Sequence, residues 1–338
     1  MRGKGALIAT LWRGMTGVPL ASFGHPIPVV AAILVVMFGP LAWSQTATTI
    51  RIVVPTAPGG YTDALARLLG EQIGKAQGPT IVIENRSGAF TQIATEAVSR
   101  AIPDGSTLLM TTNSFVINPQ IRQVNYDPMT GFEPICYLTR SPFVVVVNSA
   151  SPHRTLAELL DAAHARPGAV TLAGMGASNQ LWFERFKRAA GADISFVPYA
   201  GSLPAITAIL GDHVTSMFAD HAASAEQIRS GKLRALAVAS RERGKALPDV
   251  PTFAEAGYDG IEADVWQGIV APAKTPKETI ARLAGWFSAA LQTPEIKAFI
   301  DAQGSIPDGR CGADFGAHLR KEYDTFGRLI HDANFKVE

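Results

Sequence analysis

Residues 50–63 read IRIVVPTAPGGYTD. Ile52–Val54 is a short, apolar, β-branched run and reads as a buried strand. It breaks at Pro55 and passes through Pro58, Gly59 and Gly60. Thr62 and Asp63 then stand before a helical pattern of Ala64, Leu65, Leu68, Leu69 and Ile73. A strand, a glycine turn and a helix start leave backbone N–H groups unpaired and aimed at one spot, with the positive end of the helix dipole behind them. Such a spot suits a carboxylate or phosphate. The plainer alternative is a tight turn with Thr62 or Asp63 as N-cap.

Upstream lies the pattern of an export signal. Arg2, Lys4 and Arg13 are basic, no acidic residue precedes the strand, and an apolar run extends from about Ile27 to Leu41. Its uninterrupted part is short of the ~20 residues a spanning helix needs. Ala42-Trp43-Ser44 suits signal peptidase, so residues 1–44 read as a signal peptide cleaved near Ser44, with the mature chain periplasmic. An uncleaved anchor is the alternative, and Met15 is a second candidate start.

The remaining ~290 residues can bury a large core and usually form two domains. A net charge of +1 gives no reason to expect a nucleic-acid partner. Cys136 and Cys311 are no disulfide framework, and two separate buried thiols are favoured over a bridge. No CxxC, HExxH or clustered ligand spacing supports a metal, and no cofactor is implied.

Strands and helices alternate almost throughout. Strands are expected at Thr80–Glu84, Thr107–Met110, Phe143–Asn148, Val170–Ala173, Ser195–Val197, Thr215–Phe218, Leu233–Val238 and Trp266–Ala271. Asn113–Pro128 reads as irregular. Thr155 and Glu158 form a capping box at the start of a helix. A second glycine loop, Gly174-Met175-Gly176-Ala177-Ser178, follows the strand ending at Ala173. The pattern predicts an α/β protein with mixed, mostly parallel sheets in two lobes. Ligands of such sheets bind beyond the carboxyl ends of the strands. Phe143–Asn148 and Trp266–Ala271 are the expected crossings, placing 45–147 with 268–338 in lobe 1 and 148–267 in lobe 2.

These pieces also match a family. IRIVVPTAPGGYTDALARLL, VIENRSGAFTQIATEAVSRAIPDGSTLLM, VPYAGSLPAITAILGDHV, GKLRALAVAS, LPDVPTFAEAGY and WQGIVAPAKTP stand in family order over essentially the whole mature chain. The chain resembles the extracytoplasmic solute receptors of tripartite tricarboxylate transporters, the Bug family. The resemblance implies a type II periplasmic-binding-protein fold. It also implies capture of a small carboxylate between two lobes and delivery to a two-subunit membrane permease. Carried over residue by residue, the family cleft corresponds to Pro58, Gly59, Gly60, Tyr61, Thr62 and Asp63 and to Thr111, Thr112, Asn113 and Ser114. In the second half it corresponds to Gly174, Met175, Gly176, Ala177 and Ser178, with Asn179 adjacent.

Two positions depart from the family pattern. Tyr61 replaces a small residue and would stack on a ligand or pack on the lobe surface. Ala219-Asp220 displaces the usual acid by one, which turns Asp220 toward the cleft or leaves it a surface cap. His221 is expected in a solvated turn, and Trp182 in the core with Phe186. An exported enzyme acting on a carboxylate is the rival from another class. However, Asn179 stands where a dinucleotide fingerprint needs its third glycine, and no G-x-S-x-G elbow is present. A sensor presenting a carboxylate to a membrane signalling protein would share the same cleft.

Overall fold

The computed structural model describes residues 49–199, 201–333 and 335. The expected signal peptide and its cleavage point lie outside them. No helix among the described residues is long and apolar enough to cross a membrane.

Strand β1 (Thr49–Val54) lies between β2 (Thr80–Asn85) and β3 (Thr107–Thr111), parallel to both. Helix α1 (Tyr61–Gln77) buries Leu65, Leu69 and Ile73, one residue per turn, against that sheet. It stops at Gly78, whose φ of 87° lets its N–H reach the Gly74 carbonyl. A 3-10 turn (Ala89–Thr91) and α2 (Gln92–Ser99) lead to β3.

After β3 the expected irregular segment is in fact a helix, α3 (Ser114–Ile121), with Pro119 inside it. Proline has no N–H to give the carbonyl four residues back. That carbonyl, of Phe115, instead accepts from the Tyr126 hydroxyl at 3.3 Å.

Strand β4 (Phe132–Asn148) is far longer than its apolar end suggested. From Phe132 to Pro142 it runs antiparallel to β9 (Asp264–Pro272). From Phe143 onward it pairs with β7 (Ser216–Asp220) and β8 (Leu233–Val238). Val145 and Val147 enter one apolar cluster, Val144 and Val146 another. Burial on both faces explains a run with no alternation.

Beyond β4 come α4 (Leu156–Ala165), β5 (Thr171–Gly174), α5 (Gly176–Ala190), β6 (Ser195–Pro198), α6 (Ser202–Leu210) and, after β7, α7 (His221–Arg229). In α4 Thr155 accepts from the Glu158 N–H, while the Glu158 carboxylate reaches the N–H of Arg154 rather than that of Thr155. The chain ends with α8 (Lys277–Leu291), α9 (Pro294–Ala302), the short β10 (Ile306–Pro307) and α10 (Ala313–Ala333). The strand order is β2-β1-β3-β9-β4-β7-β5-β6, with β8 and β10 also on β4. The wings are parallel and the centre antiparallel.

Two further sequence expectations are overturned. Cys136 and Cys311 are joined in a disulfide across 175 residues. By loop-closure entropy such a link is worth about 5 kcal/mol. His221 is buried, 4% exposed, as the first residue of α7, and its Nδ1 lies 3.1 Å from the Gly304 carbonyl. Trp182 and Phe186 are core, as their spacing predicts.

Candidate functional site

Helix α1 starts directly from the first glycine turn, with Gly60 as N-cap and no side-chain cap from either Thr62 or Asp63. Gly59 is the residue that needs glycine, at φ 88°, whereas Gly60 has ordinary extended backbone. A Cβ at Gly60 would meet nothing within 4 Å, so this position borders open space. Asp63 is 3% exposed and turned inward. It accepts from the Gly59 N–H at 2.9 Å, from Arg67 Nε at 3.0 Å and from Asn85 Nδ2 at 2.9 Å. Burial alone would raise its carboxyl, but these donors outweigh that and hold it below the ordinary value. Asp63 therefore fastens the loop to the start of its helix through the Gly59 N–H. Thr56, which the sequence reading passed over although it directly follows the strand and Pro55, carries a buried Oγ1 without a partner.

Tyr61 opens α1 and is half-buried. The ring stacks on Phe299 at 5.5 Å, and its hydroxyl donates to Thr139 Oγ1 at 3.2 Å. Thr139 in turn donates to Gln267 at 2.8 Å. Burial pushes the phenol up to about 12, with the nearby Asp220 carboxylate adding to the rise.

The second glycine loop is built differently. Met175 is the N-cap of α5 and makes no side-chain cap, though its sulfur accepts from Ser202. Asn179 is 1% exposed, its Nδ2 donating to the Phe218 carbonyl at 2.6 Å. A Cβ on Gly174 would stand 2.1 Å from Asn179 Oδ1 and 2.5 Å from the Phe196 ring, so glycine here is required by packing. Asn179 Oδ1 and Ser178 Oγ are buried with no partner. Ala177 is buried and Gly176 opens the helix.

The end of β3 divides its roles. Asn113 is consumed: Nδ2 donates to the Asp264 carbonyl and Oδ1 accepts from the Trp266 N–H, each at 3.1 Å. It staples β3 to β9 rather than waiting for a ligand. Thr111 is buried, while Thr112 and Ser114 are half-buried at the start of α3.

Asp220 ends β7 and caps α7, accepting from the Ala222 N–H at 3.0 Å and from the Ser141 hydroxyl. Alternation explains its aim: Phe218 packs on Phe143, Ala219 joins the cluster on the opposite face, and Asp220 returns to the Phe143 and Ser141 side. Burial pushes its carboxyl up to about 6 against the opposing Ser141 and Ala222 bonds, and Asp264 adds repulsion. Asp264 is itself raised to about 6 by burial, with Arg140 at 3.7 Å opposing.

Asn179 thus touches the end of β7, and Tyr61 feels Asp220 two residues beyond that contact. The first loop, the second loop and the β7–α7 junction converge where β4 exchanges sheet partners. The gathered chemistry is two helix starts without side-chain caps, unpartnered hydroxyls and one caged carboxylate, which suits binding an anion that also carries a donor.

Comparison with known proteins fits this chemistry. The family model described as tripartite tricarboxylate transporter family receptor matches residues 65–334. Protein BugT of Bordetella pertussis is 35% identical over 266 residues, covering 77% of this chain and 82% of that protein. An R. palustris structure with adipate superposes with a TM-score of 0.80 at 30% identity, covering 86% of this chain and 98% of that one. MatC from Rhodopseudomonas palustris with bound malate gives 0.75 at 28% identity, covering 83% and 98%.

Proposed function

The chain belongs to the tripartite tricarboxylate transporter receptor family and has its two-lobed periplasmic-binding fold; from that premise we propose that it is an exported receptor that captures a small carboxylate and passes it to a two-subunit membrane permease. The lobes of this reading are the two sheet halves, which exchange at Pro142/Phe143 in β4, while β9 pairs along its whole length with β3 and the first half of β4. The observation that carries it is the set of buried, unpartnered oxygens on both loops, Thr56 Oγ1, Ser178 Oγ and Asn179 Oδ1, beside helix starts with no side-chain cap. The hydroxyls are donors awaiting an acceptor, directly or through water. The family relatives bound to adipate and malate support a carboxylate as that acceptor.

Asp220 sets the second feature of the ligand. An ionised carboxylate there disfavours a second ligand carboxylate nearby and favours a hydroxyl or protonated nitrogen. Its carboxyl titrates at about 6, so its ionised fraction falls about tenfold from pH 7 to pH 5, and affinity for such a ligand falls with it. Asp264 titrates in the same range and Tyr61 stays neutral, so Asp220→Asn is the control that flattens the profile.

The test is a thermal-shift and calorimetric screen against carboxylates, followed by scattering with and without the best ligand. One site per chain, a raised melting temperature and a more compact bound form are expected. Conversion of the ligand into a product would sink the reading.

A further inference from the structure

Strands β7 and β10 follow one another along the same edge of β4: Asp220 stands opposite Phe143, and Ile306 and Pro307 stand opposite Arg140 and Thr139. Strands β8 and β9 take the other edge. There the chain crosses between the half-sheets a second time, since Pro142 pairs with Asp264 and the Phe143 N–H donates to the Ala263 carbonyl at 2.9 Å. Two neighbouring chains make a narrow hinge, free to twist as well as bend unless something beside them fixes the angle.

On the β7–β10 edge the gap is closed by consecutive residues at the start of α7. Asp220 accepts from the Ser141 hydroxyl, whose oxygen accepts from the Ala222 N–H at 3.0 Å. His221, buried, meets the Gly304 carbonyl through Nδ1 at 3.1 Å. A carbonyl only accepts, so Nδ1 carries the hydrogen. Gly304, at φ 60°, lies against the imidazole, and a Cβ there would collide with the ring. Its own segment is anchored in the first half-sheet: the Asp308 and Gly309 N–H groups donate to the Leu138 and Tyr137 carbonyls, and Cys311 is bonded to Cys136. The helix before it, α9, carries Phe299, on which Tyr61 stacks at the start of α1.

We propose that His221 is a positioning residue: its bond to Gly304 ties the start of α7 to the α9–β10 turn and so sets the gap between the β7–α7 junction and the first glycine loop. The hinge then has three points instead of two. Any rotation that spreads the jaws pivots about this bond or breaks it. His221 acts through its neighbours, Asp220 on one side and the segment that holds Tyr61 on the other. The inference rests on the division into lobes proposed above and adds what fixes their angle.

Spin labels on Lys75→Cys and Asp161→Cys, exposed in α1 and α4, read the distance between the half-sheets by pulsed dipolar spectroscopy, the two natural cysteines being already joined. Without ligand, the parent is expected to give one narrow distance. His221→Ala should broaden it or add a second, and His221→Asn, whose Nδ2 stands where Nδ1 stood, should restore it. Gly304→Ala should lower the melting temperature by at least about 3 °C more in the parent than in the His221→Ala background, where the ring it strikes is gone. Unchanged distances in His221→Ala and Gly304→Ala, broadening that His221→Asn fails to narrow, or equal melting shifts in both backgrounds overturn the inference. If His221→Ala does not fold, Gly304→Ala decides by its distance alone, because it keeps the imidazole and pries it away. No ligand enters the measurement, so failure here leaves the carboxylate reading standing, and a chain that binds no carboxylate still shows the tie.

Discussion

The two glycine loops occupy equivalent places in their half-sheets and are stabilised in opposite ways. The first is locked from within: Asp63 takes hydrogen bonds from Gly59, Arg67 and Asn85, and Gly60 borders empty space. The second has no carboxylate to lock it. It relies on close packing of Gly174 against Asn179 and Phe196, and it retains two unpartnered oxygens, on Ser178 and Asn179. In the proposed receptor the first jaw is held by Asp63 with one unpartnered oxygen, on Thr56, and the second keeps two for a ligand or water to satisfy.

Removing the lock should have the largest effect. Asp63→Ala removes the buried acceptor shared by the Gly59 N–H, Arg67 and Asn85, and is expected to lower stability by about 1–3 kcal/mol in denaturant unfolding. Because the folded Asp63 carboxyl lies below its ordinary value, its contribution is present above the ordinary carboxyl pKa and fades as pH falls through the depressed one. A variant as stable as the parent at neutral pH would mean that the first loop is not self-locked. Next comes Gly60→Val, which should fold normally and lose about a hundredfold in affinity, roughly 2.7 kcal/mol, by filling the space the ligand approaches through. Normal binding by that variant would reduce the loop to a turn. The smallest effect belongs to Ser178→Ala. Its hydroxyl has no partner, so unfolding should change by less than about 0.5 kcal/mol, while affinity falls about five- to tenfold. A loss of stability without loss of affinity would reverse the contrast between the jaws.

The parts of the site legible in the sequence were those written locally. A strand followed by glycines and a helix start announces N–H groups at one place, and both loops were found that way. What was missed depends on distant partners. The first half of β4 contains Pro134, Pro142 and Arg140 and shows no clean alternation, because bulges between Pro134 and Cys136 and between Tyr137 and Thr139 reset its faces. Ser141, the hydroxyl donor to Asp220, was hidden with it. Helix α3 was obscured by Pro119, whose lost bond is replaced only through Tyr126. Asn113 and Tyr61 were rightly drawn to the strand ends, yet their polar atoms are taken up by β9 and β4, which no local pattern reveals. The left-handed backbone of the Ala89–Thr91 turn escaped because that turn contains no glycine.

The partner exchange in β4 also constrains the order in which the chain can assemble. The strands of its second half-sheet, β5 to β8, follow it within the next ninety residues or so, and that half-sheet is complete once residue 238 is available. The other half-sheet cannot close in that way. Strand β9 sits between β3 and β4, so β1–β3 have no route to β4 until residues 264–272 exist. The bond from Cys136 must wait further, for Cys311. A chain fed amino-end first across a membrane therefore makes its earliest strands wait longest for their neighbours. The second half-sheet is thus complete in sequence by residue 238, the first only by residue 272, and the link from Cys136 to Cys311 requires residue 311.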